Sequence, residues 1–272
     1  MPVDLPAVIT ARSILEHRQL LAVMTSRELK ARYRGSVLGF LWSLANPLLL
    51  LGVYTFVFSL VFQPRVEGQA PYPVFLVCGL FPWVWVSSSL NEGTASLTGN
   101  AALIRRSVFP VGLLPLVPVL ANLANLLLSV PILLLAVAAA RALGHPVGGP
   151  WLLLLPLVIA VHLPFVAGLA LALAALAVHF KDIRDIVSNL LTLGFFLTPI
   201  LYSIDAVPYR ALRALILCNP LTPFVLAYQD VLFRDRPPAP LLWAGMALAS
   251  AAAWALGVWV FDRLSDTLIE AV

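Results

Sequence analysis

Six long stretches of this chain carry no charged side chain, and that spacing of charge constrains the fold more than any other feature. The windows run from Gly35 to Pro64, Gly68 to Asn91, Ser107 to Ala140, Ala142 to Phe180, Ile186 to Ile204, and Pro237 to Phe261. A charge at the centre of a membrane helix costs about 2.5–3.5 kcal/mol on the insertion scale, so charge-free windows near 20 residues or longer mark candidate spans. A seventh window, Ala214 to Gln229, is shorter and is interrupted by Pro220 and Pro223. It reads as a re-entrant or interfacial hairpin. Charged residues make up 11% of the chain, against about 25% in soluble domains. The expected fold class is therefore an all-α integral membrane protein. It has six transmembrane helices, an N-terminal amphipathic interfacial helix, and an outer helical hairpin before the last span.

Three segments follow: an interfacial helix in residues 1–36, a transmembrane domain in 37–262, and a tail in 263–272. The first segment holds Arg12, Arg18, Arg27, Lys30, Arg32 and Arg34. Ile14, Leu21 and Met24 share one sector of its helical wheel, with Glu16, Arg27, Lys30 and Arg34 roughly opposite. Arg18, Glu28 and Arg32 break that separation. Such a helix lies in the interface plane or serves simply as a positive-inside anchor. Six spans put both termini on one side. That side then carries eleven basic residues and the other six, which favours cytoplasmic termini. No cleavable signal peptide is expected, because the first apolar run follows a long basic stretch.

The second window is the most informative. Its strongly apolar part, Tyr72 to Val86, is shorter than the roughly 20 residues a spanning helix needs. It holds Phe81, Trp83 and Trp85, and the chain then turns polar without a loop signal: Ser87, Ser88, Ser89, Asn91, Glu92, Thr94, Ser96, Thr98. If this segment spans, some of these groups sit at membrane depth, where polar side chains face a bundle interior or a water-filled cavity. One polar-faced helix in an apolar bundle points to a path. In the first window Tyr54, Phe58 and Phe62 recur at i, i+4, i+8, as ordinary packing and an interfacial belt would have them, or as a ring on which sugars stack. Gly35 and Gly39 form a GxxxG pair of the kind that allows close helix approach.

Other chemistry is scarce. There is no GxxxxGK[ST] loop, HExxH, CxxC, GxSxG or Asp-rich cluster, so no metal or catalytic constellation is expected. Cys78 and Cys218 show no disulfide framework. His162 reads as hydrogen-bonded packing or a proton relay. The turn from His179 to Asp185 reads as a solvated, charge-balanced loop or a compact contact for a cytoplasmic partner. The basic residues flank apolar spans, so nucleic acid is not an expected partner.

Five stretches together resemble the permease subunit of ABC-2-type polysaccharide exporters, the family that exports O-antigen, capsule and teichoic-acid chains. They are RYRGSVLGFLWSLANPLLLLGVYTFVF (32–58), GLFPWVWVSSSLNEGTASLTGNAALIRRSVFP (79–110), FKDIRDI (180–186), TPILYS (198–203) and NPLTPFVLAYQ (219–229). They occur in the family's order and cover most of the chain; residues 137–150 match nothing in particular.

The resemblance implies a non-enzymatic permease in the bacterial inner or plasma membrane, working as a homodimer with a pore between the copies. Two copies of a cytoplasmic P-loop ATPase carry ATP and Mg, so this chain needs no cofactor of its own. The implied substrate is a polyprenyl-diphosphate-linked glycan. On this reading Tyr54, Phe58, Phe62, Phe81, Trp83, Trp85, Ser87, Ser88, Asn91 and Glu92 line the path. Arg27, Lys30, Arg32 and Arg34 meet the diphosphate. Ser96, Asn100, Arg105, Lys181, Asp182 and Arg184 contact the ATPase. The alternatives are an ABC-2 permease for a small drug or lipid, a membrane-embedded enzyme acting on prenyl-linked sugars, and an assembly subunit without a pore.

Overall fold

The computed structural model describes residues 11–57, 71–106 and 110–271, and every regular element among them is helical. Phe58 and Phe62 lie outside the described residues. The helices are α1 (Ala11–Glu16), α2 (Arg18–Tyr33), α3 (Trp42–Thr55), α4 (Tyr72–Gly99), α5 (Ala101–Arg106), α6 (Leu116–Ala142), α7 (Leu155–His179), α8 (Ile183–Leu197), α9 (Arg210–Cys218), α10 (Thr222–Leu232) and α11 (Pro240–Ala271).

Proline placement explains many of the boundaries. α4, α7 and α10 each carry proline in their first turn, where the missing N–H would have had no partner anyway. Pro82, Pro131 and Pro164 sit inside α4, α6 and α7, a position that neighbouring helices make tolerable in a membrane bundle.

Among the described residues, four helical segments are long and apolar enough to cross a membrane: Tyr72–Gly99, Val111–Ala142, Pro150–His179 and Pro240–Ser265. A fifth is reached if α9 and α10, bent by 98° to one another, count as one crossing. Among the described residues the expected six are thus not all found at full length. In the first window the described residues end at 57, and α3 there is 14 residues long. In the fifth, α8 ends after 15 residues at Leu197, and Thr198 is already extended (φ −97°, ψ 140°). Pro199 follows Thr198, and a residue before proline is driven out of the helical region.

α4 is the central post. It packs against α3, α6, α7, α8 and α10, and 78% of its most apolar stretch is buried. At 28 residues it is about 42 Å long, more than the roughly 30 Å of a hydrocarbon core. Its polar C-terminal turns therefore extend toward one end of the bundle. α7 and α11 pair along their length in the same direction: Ser250 donates to the Val161 carbonyl (2.6 Å), and a Cβ added to Gly257 would fall 2.1 Å from the Gly168 carbonyl oxygen.

The predicted hairpin resolves into two different halves. α10 is buried along its whole length, whereas α9 exposes Leu212, Leu215 and Leu217. Two of the resembling motifs lock together here. Gln229 Nε2 donates to the Pro199 carbonyl (2.7 Å), Asn219 Nδ2 to Thr198 Oγ1 (3.0 Å), and Tyr72 to the Leu201 carbonyl (3.0 Å). Both cysteines are free thiols, Cys78 buried and Cys218 exposed.

The GxxxG expectation is corrected. Gly35 and Gly39 lie in the link between α2 and α3, both with positive φ (78° and 49°), and nothing lies within 4 Å of a Cβ added to either. They are turn glycines, chosen for a backbone conformation that side chains disfavour, and make no close helix contact. His162 is packing: it stacks on Phe224 (centroids 4.1 Å), meets Trp85 edge-on (4.9 Å), and its Nδ1 lies 3.4 Å from the Tyr228 hydroxyl.

Candidate functional site

A cavity of about 830 Å³ opens beside α4, walled by α3, α4 and α6 and closed at one end by α2. α4 contributes Phe81, Val84, Trp85, Ser88 and Glu92, a stripe at i, i+3, i+4, i+7 and i+11 that lies on one helix face, with Ser87 at its edge. α6 contributes Asn122, Asn125, Leu126 and Ser129, again one face. α3 supplies Trp42, Leu49, Leu50, Val53 and Tyr54, and α2 supplies Arg32. The wall is therefore graded along α4, aromatic at Phe81 and Trp85, hydroxylic at Ser87 and Ser88, and ionic at Glu92.

The ionic end is a three-residue network. Arg32 Nη2 donates to Glu92 Oε2, Arg32 Nη1 to Asn122 Oδ1 (2.9 Å), and Asn122 Nδ2 to the same Glu92 oxygen (2.8 Å). Glu28, one turn back on α2, accepts from Arg32 Nε at 3.4 Å. Asn122 is 4% exposed, while the Arg32 and Glu92 side chains are 19% and 40% exposed. Charge-assisted contacts of this kind are stronger than neutral ones, yet these partners stay wet enough to exchange.

A second hollow, about 390 Å³, lies between α3, α4 and α8 and takes in Trp83, Asn91, Ser188, Thr192 and Phe195. It shares Leu50, Tyr54, Val84 and Ser87 with the first. The expected path residues on α3 and α4 that fall within the described residues thus all border one hollow or the other. The aromatic ones are less free than expected. Phe81, Trp83 and Trp85 are each 6% exposed or less. Trp85 donates its Nε1 to the Val119 carbonyl (3.2 Å), and Trp83 and Tyr54 both pack on Phe195. They are edges of a packed wall.

The polar run of α4 divides in the same way. Thr94, Ser96 and Thr98 return their hydroxyls to carbonyls three or four residues back (2.6–3.1 Å), the usual way such side chains are satisfied in a helix. Ser87, Ser88, Asn91 and Glu92 face the hollows.

The four cations expected at a headgroup do not form one cluster. Arg27, Lys30 and Arg34 line a hollow of about 650 Å³ with Ala22, Val23, Ser26 and Ala31. Arg32 lies on the other side of α2, seven and eleven residues being whole turns from the buried Leu21 to Glu28 and Arg32. Its place beside Glu92 follows from that periodicity.

The expected coupling residues also separate. Arg184, at the start of α8, donates to Thr98 at the end of α4, with Lys181 and Asp182 adjacent. Ser96 and Asn100 instead border a cavity of about 530 Å³ between α2, α4, α5 and α6, and Asn100 Nδ2 donates to the Ser96 carbonyl (2.8 Å). Arg105 belongs to α5; its side chain lies outside the described residues.

Sequence reasoning missed Asn122, Asn125 and Ser129. The signal was present: three polar residues at i, i+3 and i+7 in an otherwise apolar window, where intramembrane polar groups mark function or packing.

The chain matches the family model described as ABC-2 type transporter over residues 19–233. It is 36% identical to the O-antigen export system permease protein RfbA of Myxococcus xanthus, over 96% of this chain and 98% of that one. It is 35% identical to the protein of the same description from Klebsiella pneumoniae, over 78% of this chain and 79% of that one. A more distant relative, at 24% over 72% of this chain and 74% of its own, is the polysialic acid transport protein KpsM of Escherichia coli.

Proposed function

Because the chain belongs to the ABC-2 type transporter family, we propose that it is the membrane permease of a polysaccharide exporter and carries an O-antigen-like glycan outward. The graded cavity wall is the observation that carries this reading. A glycan needs hydroxyl and amide partners along its way and aromatic surface beside it, and the strip from Phe81 through Ser88 to Glu92, faced by Asn122, Asn125 and Ser129, supplies both. The names of the relatives support the same substrate class.

The finer parts of the reading follow from the family. Two copies of the chain enclose the path, each contributing one wall. A separate P-loop ATPase, two copies per dimer, supplies the energy from the cytoplasmic side. That side is the end of the bundle where α2 meets Glu92 and Asn122 and where Arg184 meets Thr98. α11 runs parallel to α7, so its C-terminal end lies near the same end as α2, as cytoplasmic termini require. The glycan arrives on a polyprenyl diphosphate in the bacterial inner membrane, and the hollow lined by Arg27, Lys30 and Arg34 offers the anionic headgroup three cations at the interface.

The test is purification from the native membrane in mild detergent, paired with deletion of the gene. A stoichiometric P-loop ATPase in the preparation, and lipid-linked glycan accumulating inside the deletion strain, is the expected result. A chain that purifies alone and turns over a polyprenyl-linked sugar would overturn the proposal.

A further inference from the structure

Glu92 is the only charged residue that borders both the 830 Å³ and the 530 Å³ cavities among the described residues. Arg32 lines the first, and Arg27 and Glu28 the second. The Arg32–Glu92–Asn122 network is thus a septum between two spaces. Part of that septum belongs to α2, whose main packing partner is α6. On its inward face α2 offers Leu21 and Met24 to the core. Downstream it is followed by Gly35 and Gly39, whose positive φ and open surroundings make a link that can turn.

We propose that Arg32, Glu92 and Asn122 form a latch that holds α2 shut against α4 and α6, and that transport requires it to open. The proposal rests on the transporter reading above and adds a moving part to it. Glu28 makes opening feasible. It already touches Arg32 at 3.4 Å from the same helix, so an Arg32 that leaves Glu92 keeps a carboxylate and is not stranded as a bare cation, the costly outcome for a desolvated charge. α2 is then two-faced: Lys30 and Arg34 face outward where a partner or headgroup can pull, Arg27 borders the outer hollow and the 530 Å³ cavity alike, and Arg32 holds on the inside. Opening joins the two cavities along α4.

The experiment is crosslinking. In a Cys218→Ser background, with Cys78 silent because it is fully buried, Met24→Cys and Val117→Cys place thiols on the two sides of the 530 Å³ cavity. A short cleavable bis-maleimide is applied to resting purified protein without substrate. A high yield is expected in the parent and a several-fold lower yield in Arg32→Gln and in Glu92→Gln. The exchange Arg32→Glu with Glu92→Arg should recover most of it, as a direct pairwise interaction requires. In reconstituted vesicles the crosslinked protein should stop exporting and recover once the link is cleaved.

Unchanged yield in both single variants, or export at the parent rate with the crosslink in place, overturns the latch. A matching loss of crosslinking for a control pair across α7 and α11, at Val161 and Ser250, is general loosening and also overturns it. The yield is read without substrate, so failure of the latch and failure of the export assignment are separable.

Discussion

Gly168→Ala is the smallest change that should visibly damage this fold. A Cβ added there would lie 2.3 Å from the Ala253 carbonyl oxygen, 2.4 Å from its carbon and 2.5 Å from the Trp254 nitrogen. All three are backbone atoms, so no side chain can rotate out of the way. Carbon contacts are comfortable at about 3.5 Å, so α11 must retreat by roughly 1 Å, and a gap of that size forfeits up to about half the dispersion energy of the atoms it separates. Overpacking costs about 1–3 kcal/mol, and a rigid neighbour places this case near the upper end, at about 3 kcal/mol. The Ser250 to Val161 hydrogen bond (2.6 Å), two turns along the same interface, is strained as well. At about 2–4 °C per kcal/mol for a chain of this size, the melting temperature should fall by roughly 6–12 °C. Tryptophan fluorescence during heating in detergent measures this, with Trp254 at the crossing as the local reporter. Gly52→Ala is the control: nothing lies within 4 Å of its added Cβ, and alanine is the better helix former by about 1 kcal/mol. A Gly168→Ala protein that melts with the parent, or a Gly52→Ala protein that loses as much, would refute the reasoning.

Three further changes separate structural from functional charges. Asp230, 2% exposed, accepts from Arg234 Nη1 (3.1 Å) and Arg236 Nε (2.8 Å); Asp230→Asn should destabilise by about 3 kcal/mol, because it removes the buried negative charge that two guanidinium groups share. Arg236→Gln, with a side chain 57% exposed, should cost under about 1 kcal/mol, and the two melting curves decide between these values. Arg184→Ala should leave the melting temperature nearly unchanged, a surface substitution being worth within about 0.5 kcal/mol, yet reduce ATPase stimulation and export together. Full export in that variant would remove the Thr98–Arg184 contact from the coupling path.

Much of the candidate site was legible because it rests on helical periodicity. The α4 stripe and the twin faces of α2 can be drawn on a helical wheel from Phe81, Ser88, Glu92, Arg32 and Leu21 alone. Gln229, Thr198 and Asn219 stood in recognisable motifs, but their mutual hydrogen bonds join residues 21 and 30 apart, and no local pattern encodes such pairs. The four cations of α2 are close in sequence, yet the helix turns Arg32 away from the other three. Gly35 and Gly39 match a packing motif by spacing, but spacing says nothing about φ, and the close crossing uses Gly168 and Gly257, which lie in different helices.

By itself the sequence determined the environment, the helical class and the polar stretch of α4, because each follows from local composition and from the cost of burying charge in lipid. Tertiary structure alone decided which partner each polar group found. Glu92 is a lone acid in its own helix. It became one post of a closed network only when α2 and α6 brought Arg32 and Asn122 within hydrogen-bonding distance of the same oxygen. That meeting depends on how three helices pack, and packing is a property of the whole bundle that no single helix carries.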